Sequence, residues 1–339
     1  MPAERRRVAF FESTTLLAKE IRSLMETRGL ADVDVKLFDT KDDGVITEFG
    51  GEAMIVVPPD EDAMAGVDVA LLCGSAAQTS PFLDWPSRKR YVAIDLSGAS
   101  ASLRDAPLIH CDVNAAVLGE ARQLPPLIAS PHPVAHNLAS VTAVARAVAP
   151  VARVEALALR PASEMGAAGV DELYQQTVGL LSFSSVPQET FGRQIAFNVL
   201  PSSGVGPARA EAADERDAGE TARLLSMQPG QVSVTSAFVP LFHGHALSVA
   251  LAFERPPEIA ELREAIAASR LLRLVEDPAA ASPVDLASEE AISVSDLRPD
   301  PHRPGRVVLW SFCDNLKAGA ALNAVRLAER VLDLRRIAS

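Results

Sequence analysis

Six histidines and three cysteines hold most of the metal-ligating and nucleophilic capacity of this 339-residue chain. His132 and His136 are spaced i, i+4 and face one way if their segment opens a helix. His243 and His245 stand two apart, and Asp112 follows His110 closely. Neutral imidazoles with a carboxylate suit zinc or another divalent ion, so a metal held by His132, His136, His243 and His245 is one expectation. Pro133 between the first two limits rearrangement. No glutamate completes an HExxH pattern, so no hydrolytic metal mechanism follows. Cys73, Cys111 and Cys313 lie far apart without a CxxC pair, which argues against a disulfide framework or a cysteine zinc site. Each reads first as a small buried apolar residue.

Composition narrows the classes. Apolar residues make up 48% and charged residues 22%, enough to fill cores of an ordinary soluble protein. The net charge of -12 argues against nucleic acid and anionic membranes as partners, since polyanions need Lys/Arg patches. Arg5-Arg6-Arg7 precedes Val8-Ala-Phe-Phe11, but the apolar run stops at Glu12, too soon for a secretory signal. Arg146, Arg153 and Arg160 interrupt the Ala/Val-rich middle, so no membrane span is expected and a cytoplasmic location is.

The elements that must position these residues follow from periodicity. Arg7–Phe11, Val33–Phe38, Val67–Cys73 and Tyr91–Asp95 read as buried strands, with Leu108–Val113 a weaker one. Thr14–Arg28 carries Leu16, Leu17, Ile21, Leu24 and Met25 on one helical stripe, with Ser13 or Thr14 able to cap it. Such alternation predicts βαβ units and a mostly parallel sheet. A second unit is expected from about Pro125. It has helices at Ala135–Ala149, Asp171–Leu181 and Ile259–Ser269. Its strands are expected at Arg153–Arg160, Val232–Phe242, Ala246–Phe253 and Val307–Phe312, in a mixed or antiparallel sheet. Gly204–Gly219 reads as a charged mobile loop, and Glu276–Pro283 and Arg298–Gly305 as Pro-containing turns. Gly319–Ile337 reads as a final amphipathic helix.

Three segments resemble landmarks of one family. Ser311-Phe-Cys-Asp-Asn-Leu-Lys-Ala-Gly-Ala-Ala-Leu-Asn-Ala-Val325 resembles the closing signature of the aspartate-semialdehyde dehydrogenase family. Gln194-Ile-Ala-Phe-Asn-Val-Leu-Pro201 and Val239-Pro-Leu-Phe-His-Gly-His245 resemble two more, and Tyr91-Val-Ala-Ile-Asp-Leu-Ser97 another. The chain resembles a divergent, active-site-deficient homologue, similar to the Usg-like branch. The resemblance implies an α/β chain: a Rossmann-like parallel-sheet domain over 1–127, an α/β dimerisation domain with a mixed sheet over 128–312, and a C-terminal helix over 313–339 returning to the first domain. It also implies a homodimer, with a heterodimer beside an active paralogue as a further expectation.

The resemblance also says what should be present and is not. The family's nucleophilic cysteine falls on Pro133, in Ser130-Pro-His-Pro-Val-Ala135, and a proline cannot attack a carbonyl. The family's base histidine falls on His245, and the glutamine that orients the nucleophile on Arg160. The carboxylate-clamping arginine falls on Phe238, and the lysine before the closing Gly-Ala-Ala on Ala318. Glu220 and Arg223 match two residues of the family's substrate pocket, although i, i+3 spacing also suits a solvated helix pair. The family's cofactor is NADP, whose pyrophosphate needs a glycine turn at a helix N-terminus. Glu12-Ser-Thr-Thr-Leu-Leu-Ala18 stands there, so Glu12, Thr15 and Ala18 make a degenerate loop and no cofactor is expected. Ala101 stands at a family arginine, and Lys41 at a basic residue facing the adenosine. The family fold would also bring the four histidines from two loops to the old active site, bordered by His110 and Asp112.

Three functions are therefore weighed. The first is a non-catalytic dimeric homologue that binds or regulates. The second is an active NADP-dependent semialdehyde dehydrogenase of amino-acid biosynthesis. The third is a metal enzyme built on the histidines.

Overall fold

The computed structural model describes residues 6–30, 32–100, 103, 105–118, 124–205, 211–285 and 287–338. It divides into two compact units, residues 1–132 with 320–339, and residues 133–319.

The first unit is a five-stranded parallel sheet. Its strands are β1 (Arg7–Phe11), β2 (Asp34–Phe38), β5 (Val69–Leu72), β6 (Val92–Asp95) and β7 (Leu127–Ala129), in the order β2-β1-β5-β6-β7. A two-stranded hairpin, β3 (Ile46–Phe49) and β4 (Glu52–Ile55), interrupts the path from β2 to β5. Alternation along the strands builds two cores. Val8, Phe10, Val35, Leu37, Val69, Leu71 and Ile94 face one way, onto helix α1 (Leu16–Thr27) and the last helix, α7 (Leu322–Ala338). Ala9, Phe11, Phe38, Ala70 and Leu72 face the other way, onto Phe82 of α2 (Ala76–Leu83) and Trp85. Both faces are thus covered, as an all-parallel sheet requires. Helix α1 is capped by Thr15, whose hydroxyl accepts from Ala18 N, one residue beyond the expected Ser13 or Thr14. The weak strand at Leu108–Val113 is not formed. Leu108 makes one parallel bridge to Ala129, and the chain then turns, with Asn114 bonding back to the Leu108 carbonyl.

The second unit is a seven-stranded mixed sheet. Its strands are β8 (Val151–Arg160), β9 (Leu200–Pro201), β10 (Val232–Phe238), β11 (His245–Phe253), β12 (Leu272–Leu274), β13 (Ile292–Pro299) and β14 (Arg306–Cys313), ordered β12-β13-β14-β11-β8-β10-β9. One face packs on α3 (Pro133–Val148), α5 (Glu211–Leu224) and α6 (Ile259–Ala268), through Val134, Leu138, Val141, Ala222, Leu262 and Ile266. Helix α4 (Gly166–Leu181) follows a 3-10 turn over Ala162–Met165. A π turn over Lys317–Ala321 leads into α7.

Two sequence expectations fail here. The segment read as a mobile loop over Gly204–Gly219 runs into α5, which begins at Glu211, and residues 206–210 of that reading lie outside the described residues, as does Ala101. Charged composition suggested solvent, but Asp217 of α5 is fully buried because it serves an arginine of the sheet. Strand β13 was missed, since the Pro299 that reads as a turn residue ends the strand.

Candidate active site

The site grows from the carboxyl end of β8. Arg160 is the last residue of that strand and is 1% exposed, so its guanidinium must be satisfied internally. Its Nε donates to Ser236 Oγ of β10 at 2.8 Å. Nη1 donates to Glu164 Oε1 and Oε2 at 3.1 and 2.9 Å. Nη2 donates to Asp217 Oδ2 of α5 at 2.5 Å and stands 3.6 Å from Asp214 Oδ1. Ser236 Oγ in turn bonds Asp214 and Ser202 Oγ, and Arg216 supports Asp217 through Nε and Nη2 at 3.2 Å each. Burial alone would lower the Arg160 pKa, but Glu164 and Asp217 outweigh it and raise it above the ordinary arginine value. Arg160 is therefore a permanent buried cation matched by carboxylates.

Glu164 links this cluster to the histidine. The 3-10 turn that follows β8 brings its Oε1 to 2.5 Å from His245 Nε2, at the start of β11. His245 has no exposed surface. Burial would lower its pKa, but Glu164 and then Cys313 raise it to about 9. The pairing with the Glu164 carboxylate favours the imidazolium form of the ring at neutral pH. Cys313 is the cross-strand partner of His245 in the β11–β14 pair and is 3% exposed.

The closing motif is scaffolding around these groups. Asn315 Oδ1 accepts from Gly244 N at 2.8 Å and its Nδ2 donates to Ser163 Oγ at 3.0 Å, which ties the strand bearing His245 to the turn bearing Glu164. Asp314 Oδ1 accepts from Leu316 N and Lys317 N. Gly319 packs on Pro133: a Cβ at Gly319 would lie 2.8 Å from Pro133 Cβ. Pro133 opens α3, a position where its missing N–H costs nothing and its fixed φ fits the helix.

The other expected site residues scatter. Phe238 is buried beside Phe191, with ring centroids 5.7 Å apart and edge on face. Glu220 is buried while Arg223 is exposed, so they are not a solvated pair. His136 is buried in the first turn of α3, His132 is half-buried before it, and His243 is exposed on the loop before β11. The expected metal cluster does not assemble: among the described residues no group of three or more His, Cys, Asp or Glu is arranged to hold an ion. The Nε2 of His245 is committed to Glu164 instead.

The turn after β1, where the family would bind its cofactor, holds a buried carboxylate rather than a glycine turn. Glu12 adopts a φ of 55° and is 2% exposed. Its Oε2 accepts from Gln78 Nε2 at 2.5 Å and its Oε1 from Thr40 N at 3.3 Å. Burial raises the Glu12 carboxyl above the ordinary glutamate value, partly offset by the Thr40 bond. Thr15 spends its hydroxyl on the helix cap, and Ala18 lies on the buried face of α1, packed in the core.

The family model for the semialdehyde dehydrogenase dimerisation domain matches residues 142–318. The chain belongs to the aspartate-semialdehyde dehydrogenase family. It is 34% identical over 241 residues to a USG-1 protein homolog of Pseudomonas aeruginosa, which spans 70% of this chain and 71% of that one. It is 30% identical over 270 residues to an aspartate-semialdehyde dehydrogenase of Rickettsia conorii, covering 79% and 80% of the two chains. The structure of a probable aspartate-semialdehyde dehydrogenase from Pseudomonas aeruginosa superposes with a TM-score of 0.88 at 29% identity, over 97% of this chain and 99% of that one. This semialdehyde dehydrogenase homologue stands on the USG-1-like branch of the family. Glu164, Asp214, Asp217, Ser236 and Asn315 were not singled out by sequence reasoning. The i, i+4 spacing of Arg160 and Glu164 was an available signal. Asp217 gave none, because its segment read as a loop.

Proposed function

We propose that this chain is a non-catalytic member of its family, a dimeric protein that binds or regulates rather than turning over a semialdehyde. The observation that carries the reading is His245. A thioester mechanism needs a thiolate that a substrate can reach. Here the imidazole has no exposed surface and its Nε2 is held by Glu164, and the thiol beside it, Cys313, is 3% exposed. Pro133 opens a helix in the position that the resemblance gives to the nucleophile. Glu12 in the first unit sets a carboxylate where a dinucleotide would bring phosphate.

Assembly as a homodimer rests on the matched dimerisation domain and on the uncovered face of the second sheet. Leu157, Ser248, Ala250, Val308 and Trp310 lie on the side away from α3, α5 and α6, and Leu157 is 42% exposed. A heterodimer with an active relative would use the same face and would make the chain a regulatory subunit. A cytoplasmic location agrees with the finding that no helix among the described residues is long and apolar enough to cross a membrane.

One observation favours a second reading. Cys313 stands beside His245, so a thiol enzyme with a relocated nucleophile would have a histidine at hand to favour its thiolate. Calorimetric titration of the full chain with NADPH separates the two. The proposed function predicts no heat of binding at micromolar nucleotide, and a micromolar dissociation constant would contradict it.

A further inference from the structure

The strand order of the first unit fixes where a ligand would enter it. Counting only its five parallel strands in chain order, β2-β1-β5-β6-β7 is the order 2-1-3-4-5, which reverses direction between β1 and β5. In open parallel sheets the ligand crevice lies outside the carboxyl ends of the strands at such a reversal. Glu12 follows the last residue of β1, Gly74 lies two residues after the end of β5, and Thr40 lies two residues after the end of β2. The Glu12 side chain spans all three. It lies against Gly74, where an added Cβ would sit 2.5 Å from Glu12 Cγ and 3.1 Å from Glu12 Cβ. Its two oxygens bond Gln78 Nε2, in the first turn of α2, and Thr40 N. The residue is held in left-handed backbone, a strained conformation for a non-glycine residue that persists only when its surroundings over-determine it. Arg22 fixes the same turn from beneath, donating from Nη1 to the Ser13 carbonyl at 2.6 Å.

We propose that Glu12 is an internal plug: its side chain occupies the switch-point crevice of the first unit and is the residue that excludes phosphate-bearing nucleotides. The inference rests on the non-catalytic reading and gives it a named residue. The crevice behind the plug keeps features of a nucleotide site. Asp39, just beyond β2, is buried there and accepts from Thr14 N, Lys41 N and Asp42 N. An acidic residue at this place suits an adenosine with a free 2′-hydroxyl rather than a 2′-phosphate. ADP and inorganic pyrophosphate are therefore the probes.

Wild-type chain and the Glu12→Gly variant are titrated calorimetrically with each probe. Glycine accepts a φ of 55° without strain, which offsets the loss of the bonds to Gln78 and Thr40, so the variant is expected to fold with a cooperative melt. The plug predicts no binding by wild type at millimolar probe and at least tenfold tighter binding of ADP by Glu12→Gly. A folded Glu12→Gly chain that still ignores both probes overturns the plug and leaves the non-catalytic reading intact. So does wild-type chain that binds ADP as well as the variant does. Micromolar NADPH binding by wild type would overturn both. A second measurement does not depend on a ligand. Gly74→Ala should lower the melting temperature, because its methyl meets Glu12 most closely and Gln78 Cβ at 3.2 Å, and adding Glu12→Gly should restore most of the loss. Loss without restoration, or no loss, places the Glu12 side chain elsewhere and sinks the proposal.

Discussion

Arg160 decides the character of the site. The resemblance places a neutral, nucleophile-orienting glutamine there. A guanidinium in its stead demands counter-charges in a volume closed to water, and Glu164, Asp217 and Asp214 supply them. A buried pair of this kind is often no more stabilising than apolar residues of the same volume, but removing one partner strands the others. Arg160→Met should therefore cost ~3–5 kcal/mol, because Asp217 and Glu164 lose their cation in place. Urea denaturation of the two chains measures this. The sequence showed that Arg160 departs from the family pattern but not what it binds, since two of its partners sit in a segment whose composition suggests solvent.

At the scale of elements, the 3-10 turn and the start of β11 are joined by the Glu164–His245 pair and by Asn315, which gives this junction a pH dependence. The ordinary histidine pKa of 6.5 is raised to about 9 in the folded chain, so the folded state binds this proton more tightly than the unfolded one. The contribution is fully present below pH 6.5, falls as pH rises, and is lost above about 9. It amounts to about 3 kcal/mol. The charged and titratable groups facing His245 are Glu164 from the turn and Cys313 from β14, with Arg160 behind Glu164. Denaturant titrations at a series of pH values should show stability declining through that window, and Glu164→Gln should flatten the decline. A flat profile in the wild type would mean that the ring is neutral. Most of these elements were legible in the sequence: β1, β2, β8, β10, β11, β14, α1, α4 and α6 follow hydrophobic period and turn chemistry. Strand β7 is only three residues long, and β13 ends in a proline and β12 is as short as β7, so none of the three gave a readable pattern.

At the scale of the molecule, the chain keeps the family's two-unit plan, and the family signature residues now hold structure. Asp314 and Asn315 organise a turn, Gly319 makes room for Pro133, and Gln194–Pro201 is held by Gln176, whose Oε1 accepts from Ile195 N and Ala196 N at 2.7 and 3.1 Å. Such bonds give the signature residues a structural role that does not depend on catalysis. The open face of the second sheet is the surface most in need of a partner. Leu157 stands on it among Ser248, Ala250 and Val308. Placing an arginine at its centre should oppose pairing by desolvating a charge without a counter-ion. Light scattering after size exclusion should find wild-type chain as a dimer and Leu157→Arg shifted to monomer. Monomeric wild type would remove the dimer from the account.

The central claim is that the chain performs no semialdehyde chemistry, and a direct assay decides it. Full-length protein is mixed with aspartate semialdehyde, phosphate and NADP, and NADPH is followed by its absorbance against a Cys313→Ala control. The account predicts that neither chain forms NADPH above the protein-free rate. Turnover by the wild type that disappears in Cys313→Ala would contradict it, and would identify the thiol beside His245 as the nucleophile.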